Sequence, residues 1–393
     1  MKNKKGFILP VFLVLMVALV SIISTVIYLN TVNVKETGSK FQDKSAFYIS
    51  EAGIYKAIWY LTTDPADGGL GMDWRTSGVT EEFSGGSYTI VVEDYAFGDH
   101  PVSIRITSTG HYRSSEHVSQ VLAYEDFADD LTDYTLSSGV DFAMLADSVI
   151  SGSLFADGDV TIPTGAQVIN GTVVVTEGHT ITGDGEYVEG SLISIPDTTP
   201  DTTYYDNQIA VALAGGPDVL VGYQTFGDLN LNGLTVYVNG GISLTGNVIG
   251  PGEIVATEAI NLQREATIGE NVLLITNSDV NIKAVKTDSP DLAQNVTIFA
   301  KNNMNLPNGL VAPNPILIIG MGNVNIGNTS TINGLIYGGN VNIANNTQIK
   351  GILICGSSST LNRLEDSSSL THKKYKMAVP PGFSSKFVIE KWL

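Results

Sequence analysis

The sequence predicts a mainly β protein carried on one long helix, and three observations predict it. Residues 7–29 contain no charged side chain. Residues 30–61 keep apolar side chains largely at three- and four-residue steps. From about residue 131, short β-branched words broken by Gly, Asn and Asp recur every 17–19 residues. The architecture that follows is a long N-terminal transmembrane and amphipathic α-helix, a small antiparallel β-meander, then a parallel, right-handed β-helix. The expected division is 1–6 as a leader, 7–61 as the helix with 7–29 in the membrane, and 62–130 as the small β region. The β-helix fills 131–365, with insertions near 191–216 and 284–294, and 366–393 forms a C-terminal tail or cap.

The apolar run of 23 residues from Phe7 to Leu29 is long enough for a helix to cross a bilayer core of ~30 Å with some tilt. Lys2, Lys4 and Lys5 precede it, which sets the N-terminus in the cytoplasm and the rest of the chain outside a cytoplasmic membrane crossed once. Three readings of this start compete. A cleaved signal peptide has a shorter apolar core and a small-x-small site, and Val26-Ile27-Tyr28-Leu29-Asn30 offers none. A plain membrane anchor is the second reading. The third is a type IV prepilin leader, cut after the glycine of Lys4-Lys5-Gly6, so that the mature chain begins at Phe7.

Beyond Leu29, Phe41, Ala46, Phe47, Ile49, Ala52, Ile54, Ala57, Ile58 and Leu61 recur mainly at helical steps among mixed charges. That spacing makes one face apolar, as a helix lying on a sheet requires. A single helix over 7–61 would be ~80 Å long at 1.5 Å per residue.

Composition excludes some functions. Forty acidic residues against 21 Lys and Arg give a net charge of −19, the wrong sign for nucleic acid. One cysteine, Cys355, rules out an internal disulfide, and its setting in Ile352-Leu353-Ile354-Cys355 reads as a small buried side chain. His111 and His117 flank Ser114-Ser115, but two further ligands for a metal are not apparent at suitable spacing. No metal and no cofactor is expected.

In 62–130, Thr62–Thr80 reads as a Gly/Asp-rich loop. Ser87–Val92, Val102–Thr107 and Glu116–Tyr124 read as strands separated at Gly85-Gly86, Gly98-Asp99 and Ser108-Thr109-Gly110. The repeat is clearest where Asn323–Leu335 aligns with Asn340–Ile352 at an offset of 17. Val149–Leu154 aligns with Val168–Val173 at an offset of 19. Looser copies are Asp159–Ile162, Gly241–Leu244, Asp279–Ile282 and Asn295–Ile298. Apolar residues two apart share one side of a strand, and Gly, Asn and Asp turn the corners. One repeat is therefore one turn of a solenoid with about three short strands, stable only when stacked on its neighbours. Matched Asn325/Asn342 and Asn328/Asn345 predict stacked amide ladders. Tyr204–Ala214 predicts a short helix capping or flanking the solenoid, and Ala284–Gln294 a polar loop; both are expected places for partner contacts.

Ala46-Phe47-Tyr48-Ile49-Ser50-Glu51-Ala52-Gly53-Ile54 resembles the signature of PilX-like type IV pilus minor pilins and pilus assembly proteins, with Glu51, Ala52 and Gly53 as its centre. The whole chain resembles members that join this pilin-type N-terminus to a β-solenoid of bactofilin-like texture. Phe142-Ala143-Met144-Leu145, Asp157-Gly158-Asp159, Asn170-Gly171 and the Pro380-Pro381-Gly382-Phe383…Trp392 ending also fit that group. The resemblance implies processing by prepilin peptidase between Gly6 and Phe7. It also implies contacts with membrane lipid and with other pilins or pseudopilins through the N-terminal helix, and display of the β-helix for adhesion, assembly or a tip role. Pilins that join the fibre by the usual route carry a Glu five residues into the mature chain, and PilX-like proteins and tip pseudopilins commonly lack it; here that position is Val11, which points to a tip or priming position.

Two other classes are weighed beside this non-enzymatic reading. One is an anchored β-helix that binds or acts on cell-surface polysaccharide, the other a polymerising solenoid scaffold. Catalysis on a glycan needs grouped carboxylates. The acidic residues Asp157, Asp159, Asp184 and Glu186 sit instead at turns, and the cations Arg264, Lys283, Lys286, Lys301 and Lys350 are scattered. No catalytic residue is assigned. A calcium site at Asp157-Gly158-Asp159 or Asp184-Gly185-Glu186 would lack a complete ligand loop.

Overall fold

The structure, a computed structural model, describes residues 8–63, 67–72, 74–96, 102–127, 134–191, 199–283, 292, 293, 295–356, 362–364, 367–373, 379 and 385–393. Two compact units divide the chain: one holds residues 1–98, 102–124 and 387–393, the other 99–101 and 125–386.

In the first unit a single helix, α1, runs Ile8–Thr62 without a break. Four antiparallel strands follow: β1 (Thr76–Phe83), β2 (Gly86–Asp94), β3 (Ser103–Tyr112) and β4 (Ser115–Phe127). The C-terminal strand Ser385–Trp392 pairs beside β4 as the fifth. The helix buries Ala46, Ile49, Ser50, Gly53, Ile54, Ala57 and Leu61, a stripe of three- and four-residue steps that faces Tyr88, Ile90, Ile104, Ile106 and Val121 of the sheet. Phe41 and Phe47, placed by periodicity on the apolar face, are more than one-third exposed. Ser50 and Gly53 take the close approach instead. A Cβ on Gly53 would lie 2.1 Å from Ser108 Oγ, and one on Gly110 2.3 Å from the carbonyl oxygen of Ala46. The sheet can lie this near the helix only because both positions lack a side chain.

Two local expectations for this unit are corrected. The last five residues of the loop read at Thr62–Thr80 belong to β1, because Ser84 and Gly85, both at positive φ, form a tight hairpin that pairs this segment onto β2. Ser108-Thr109-Gly110 lies inside β3, and the turn falls at Arg113-Ser114. Gly110 there serves helix packing rather than a break.

The second unit is a parallel β-solenoid of about 11 turns, with three short strands per turn. In stacking order, coils 1–7 follow the chain from residue 219 to 350. Coil 8 is 351–371, and coils 9, 10 and 11 are 136–151, 154–169 and 173–189. The chain therefore enters near one end of the stack, builds its last three coils, jumps to the far end, and returns to complete the stack from within.

Inward side chains form one aliphatic column through coils 3–11, Ile254, Leu274, Ile298, Ile318, Ile336, Leu353, Leu136, Leu154 and Val173, which half-buried Val236 continues into coil 2. Each such burial contributes roughly 1.5–3 kcal/mol before the entropy of ordering is subtracted. Corners carry Asn170, Asn232, Asn271, Asn295 and Asn346 at positive φ, as the turn composition predicts. The 17-residue offset is the true register: Asn323 pairs with Asn340, Asn325 with Asn342 and Ile332 with Ile349.

The 19-residue alignment is corrected in part. Leu154 pairs with Val173, but Val149 pairs with Gln167 and Ile150 with Val168, so the third strands are offset by one residue less. Val149 and Ile150 are both β-branched, and only the core decides that Ile150 points inward. Asn295–Ile298 belongs to the first strand of its coil, whereas Val160, Ile242 and Val280 begin second strands, so one sequence word serves two faces.

The insertion after coil 11 contains α2 (Thr203–Ala214). Its Tyr205, Ile209 and Ala212 cover outward apolar residues of the first strands, among them Val255, Ile275 and Phe299. Of the polar loop read at Ala284–Gln294, all but Leu292 and Ala293 lies outside the described residues. Leu292 is buried and bridges to Ile268. The stretch read as a tail begins in the stack, since Ser369–His372 is the third strand of coil 8.

Candidate functional site

Gly6 and Phe7 lie outside the described residues, and the structure describes no side chain at Val11. Downstream of them, Phe12 to Leu29 is exposed throughout, with Phe12 at 60%, Ile22 at 62% and Tyr28 at 68%. This one helix is long and apolar enough to cross a membrane by length and composition. Of the signature, Gly53 is buried at the closest helix–sheet approach, while Glu51 and Ala52 are half-buried. Beside Gly53, the hydroxyls of Ser50 and Ser119 meet at 2.6 Å. His111 and His117 do not converge: His111 faces Glu116 at 3.5 Å, and His117 meets the ring of Phe47 edge-on.

On the solenoid, the second strands turn one residue in three outward, and in coils 3–7 that residue is asparagine: Asn261, Asn281, Asn305, Asn325 and Asn342. From Asn281 onward each Nδ2 donates to the Oδ1 of the preceding coil at 2.8–3.2 Å, and the Asn261 Nδ2 donates to the Ile242 carbonyl. A second amide column stands two residues earlier at the corner. There Asn303, Asn323 and Asn340 donate in turn to Asp279, Asn303 and Asn323 at 3.0–3.2 Å. Together they form a near-neutral grid, about 4.8 Å between coils and ~6.6 Å along a strand. A carboxamide has two N–H groups and an oxygen with two lone pairs, so a residue in the middle of the first, mid-face column spends one of each on the ladder.

In coils 9–11 the corresponding corner is built from Asp141, Asp159 and the His179-Thr180 pair. The Asp159 amide donates to Asp141 Oδ1 at 2.8 Å, and the Thr180 amide to Asp159 Oδ1 at 2.7 Å. His179 Nδ1 stands 3.6 Å from the same oxygen. Ligand atoms of Asp141, Asp159 and His179 lie within 4.8 Å of one another, all on exposed residues. The Thr180 amide and then its hydroxyl hold the Asp159 carboxyl below the ordinary aspartate range. That shift keeps it ionised, the opposite of what a general acid needs. His179 was not singled out from the sequence. The coil period would have found it, because Asp141, Asp159 and His179 are spaced by about one turn each. Asp184-Gly185-Glu186 is not part of this group; the Gln167 amide donates to Glu186 Oε2 at 3.1 Å.

Under α2, the Tyr205 ring stacks on Phe299 at 3.9 Å and 5°, Tyr204 donates to Glu253, and Lys301 pairs with Asp206. Lys301 holds the Asp206 carboxyl low, and burial pushes the Tyr205 phenol up. These contacts fasten the helix to the sheet. Cys355 is wholly buried in coil 8 and its thiol is pushed well up by burial, which makes it an inert core side chain.

No family model matches the chain, and no curated protein matches it. Among solved structures, the competence-associated pilin ComZ from Thermus thermophilus is similar at 11% identity. That match covers 90% of this chain and 97% of ComZ, with a TM-score of 0.26. An ice-binding protein from the Antarctic ascomycete Antarctomyces psychrotrophicus is similar at 14% identity, over 62% of this chain and 97% of that one, with a TM-score of 0.19. Likeness at these TM-scores carries no argument about function.

Proposed function

We propose that this chain is a non-enzymatic, membrane-anchored surface protein of minor-pilin type that displays a β-solenoid outside the cytoplasmic membrane. The observation that carries the reading is α1: a lipid-compatible, fully exposed half that continues unbroken into a half carrying its own sheet. The lysines before it favour an inside N-terminus, and Lys5-Gly6-Phe7 favours removal of the leader by prepilin peptidase. Lateral contacts with other pilins or pseudopilins would then use α1. The depressed Asp159 carboxyl and the fastening role of the α2 contacts favour display over catalysis.

Mass spectrometry of the mature N-terminus tests the reading. A chain starting at Phe7 is expected, and one that retains Met1 would reduce it to an ordinary anchored solenoid. Protease added outside intact cells should remove the solenoid and spare the span; full protection would overturn the orientation.

A second reading is favoured by the amide grid. Its regular, near-neutral surface in a chain of charge −19 suits a neutral surface polysaccharide. Binding of such glycans that survives 0.5 M salt and falls at least tenfold in Asn305→Ala would support it, as a salt-sensitive or unchanged profile would not.

A further inference from the structure

Strand registers show a stack whose order is not the chain order. Coil 8 is the last to be synthesised, yet it sits between coil 7 and coil 9. Leu353 pairs with Ile336 on one side and Leu136 on the other. Leu370 pairs with Ile349 and with Ile150 in the same way. Main-chain hydrogen bonds join coil 8 to coil 9 at every strand: Leu353 N to Thr135 O, Gly139 N to Cys355 O, Leu145 N to Leu364 O and Val149 N to Ser368 O, at 2.8–2.9 Å. Among the described strands, those of coils 9–11 register with one another and with coil 8, and with none of coils 1–7.

We propose that coil 8 is a closure element, and that coils 9–11 hold their fold only while it is seated. A solenoid coil buries its apolar side only against neighbours. Coils 1–7 have six interfaces of their own and α2 across their first strands. Coils 9–11 have two internal interfaces and one open end, where Val188 is 62% exposed. Their remaining interface is made with residues roughly 220 positions later in the chain, the most non-local contact in the unit and the last to form. Opening coil 8 thus uncovers Leu136, Phe142, Met144 and Ile150 together, all of them buried in the closed stack. The seating itself is tight: a Cβ on Gly351 would stand 1.8 Å from the carbonyl oxygen of Gly334, and Gly351 has φ +150°.

Cys355, the single cysteine, lies inside this coil and reports its opening. The test is native-state hydrogen exchange of the full chain in detergent micelles at rising urea, with thiol labelling of Cys355 run in parallel. The expected result is that amides of 136–175 and the Cys355 thiol become accessible together, at lower urea than amides of 242–319. Two results would overturn the proposal: 136–175 staying protected after Cys355 reacts, or the whole solenoid opening in one step. A second arm uses Gly351→Val, which should speed exchange in 136–175 at least tenfold and leave 242–300 within twofold. If that variant does not fold, the wild-type measurement decides by itself.

Discussion

Along the corner between first and second strands, coils 4–7 carry Asp279, Asn303, Asn323 and Asn340, whereas coils 9–11 carry Asp141, Asp159 and Thr180. Both columns close the same turn by accepting a backbone N–H from the next coil, as Asn303 does from Asn323 and Asp141 from Asp159. They differ in what the side chain can return. A carboxamide donates and accepts, so each rung passes a hydrogen bond to the next. An ionised carboxylate only accepts, so its column stops at backbone amides and hydroxyls. The amide rungs above Asp279 can therefore run for any number of coils without adding charge. The carboxylate column suits a short block and answers to pH.

The largest effect should come from breaking the amide column with a carboxylate. Asn323→Asp loses the donor to Asn303 and sets two acceptors against each other, at a cost of about 1–3 kcal/mol at pH 7. Urea denaturation should show that loss shrinking below pH 4 as the new acid protonates. A stability unchanged at neutral pH would mean that the ladder bonds are not formed. Asn305→Ala, in the mid-face column, removes one bond to each neighbour and should cost about 1–2 kcal/mol without pH dependence.

Acid provides the reciprocal test. The Asp159 carboxyl titrates below its ordinary value, so it is protonated more readily in the unfolded chain than in the folded one. Its contribution is present above the unfolded pKa of about 4 and is lost as pH falls through the lower folded value. Exchange of the Thr180 amide should accelerate across that window relative to the intrinsic rate, while amides of Asn305 and Asn325 keep their protection. Uniform acid sensitivity along the stack would remove the distinction. The smallest effect is Asp159→Asn, which keeps an acceptor for the Thr180 amide. Thermal melting at pH 7 should move by no more than a degree or two, and the acid dependence at Thr180 should vanish.

Much of this was legible in one dimension. The absence of charge over 7–29 and the three- and four-residue steps over 46–61 specify a helix with an all-round apolar half and an amphipathic half, since both patterns follow from helix geometry alone. The 17-residue offset of Asn325 and Asn342 gives the coil, its register and its ladder together, because one rung stacks on its copy. The word at Val149-Ile150 was misaligned by one residue, since two adjacent β-branched side chains are equally suited to the core until a neighbour chooses. β1 was missed for a similar reason: Thr76–Phe83 breaks its Thr, Val and Phe with Ser, Gly and Glu, buries none of them, and is a strand because β2 offers it an edge. The Asp141–Asp159–His179 group was hidden because its members meet across coils, not along the chain.

What the sequence determined by itself is therefore most of what repeats or runs locally: the helix, its change from an all-round apolar half to a half that lies on a sheet, the parallel coil and the mid-face amide ladder. What only the tertiary structure decided is the order of the stack. Every coil offers its neighbours the same aliphatic rung, so the chemistry of Leu136 matches that of many partners. It lies on Leu353 because the chain leaves coil 11 through α2 to the far end and has to return, and no property of the repeat alone records that path.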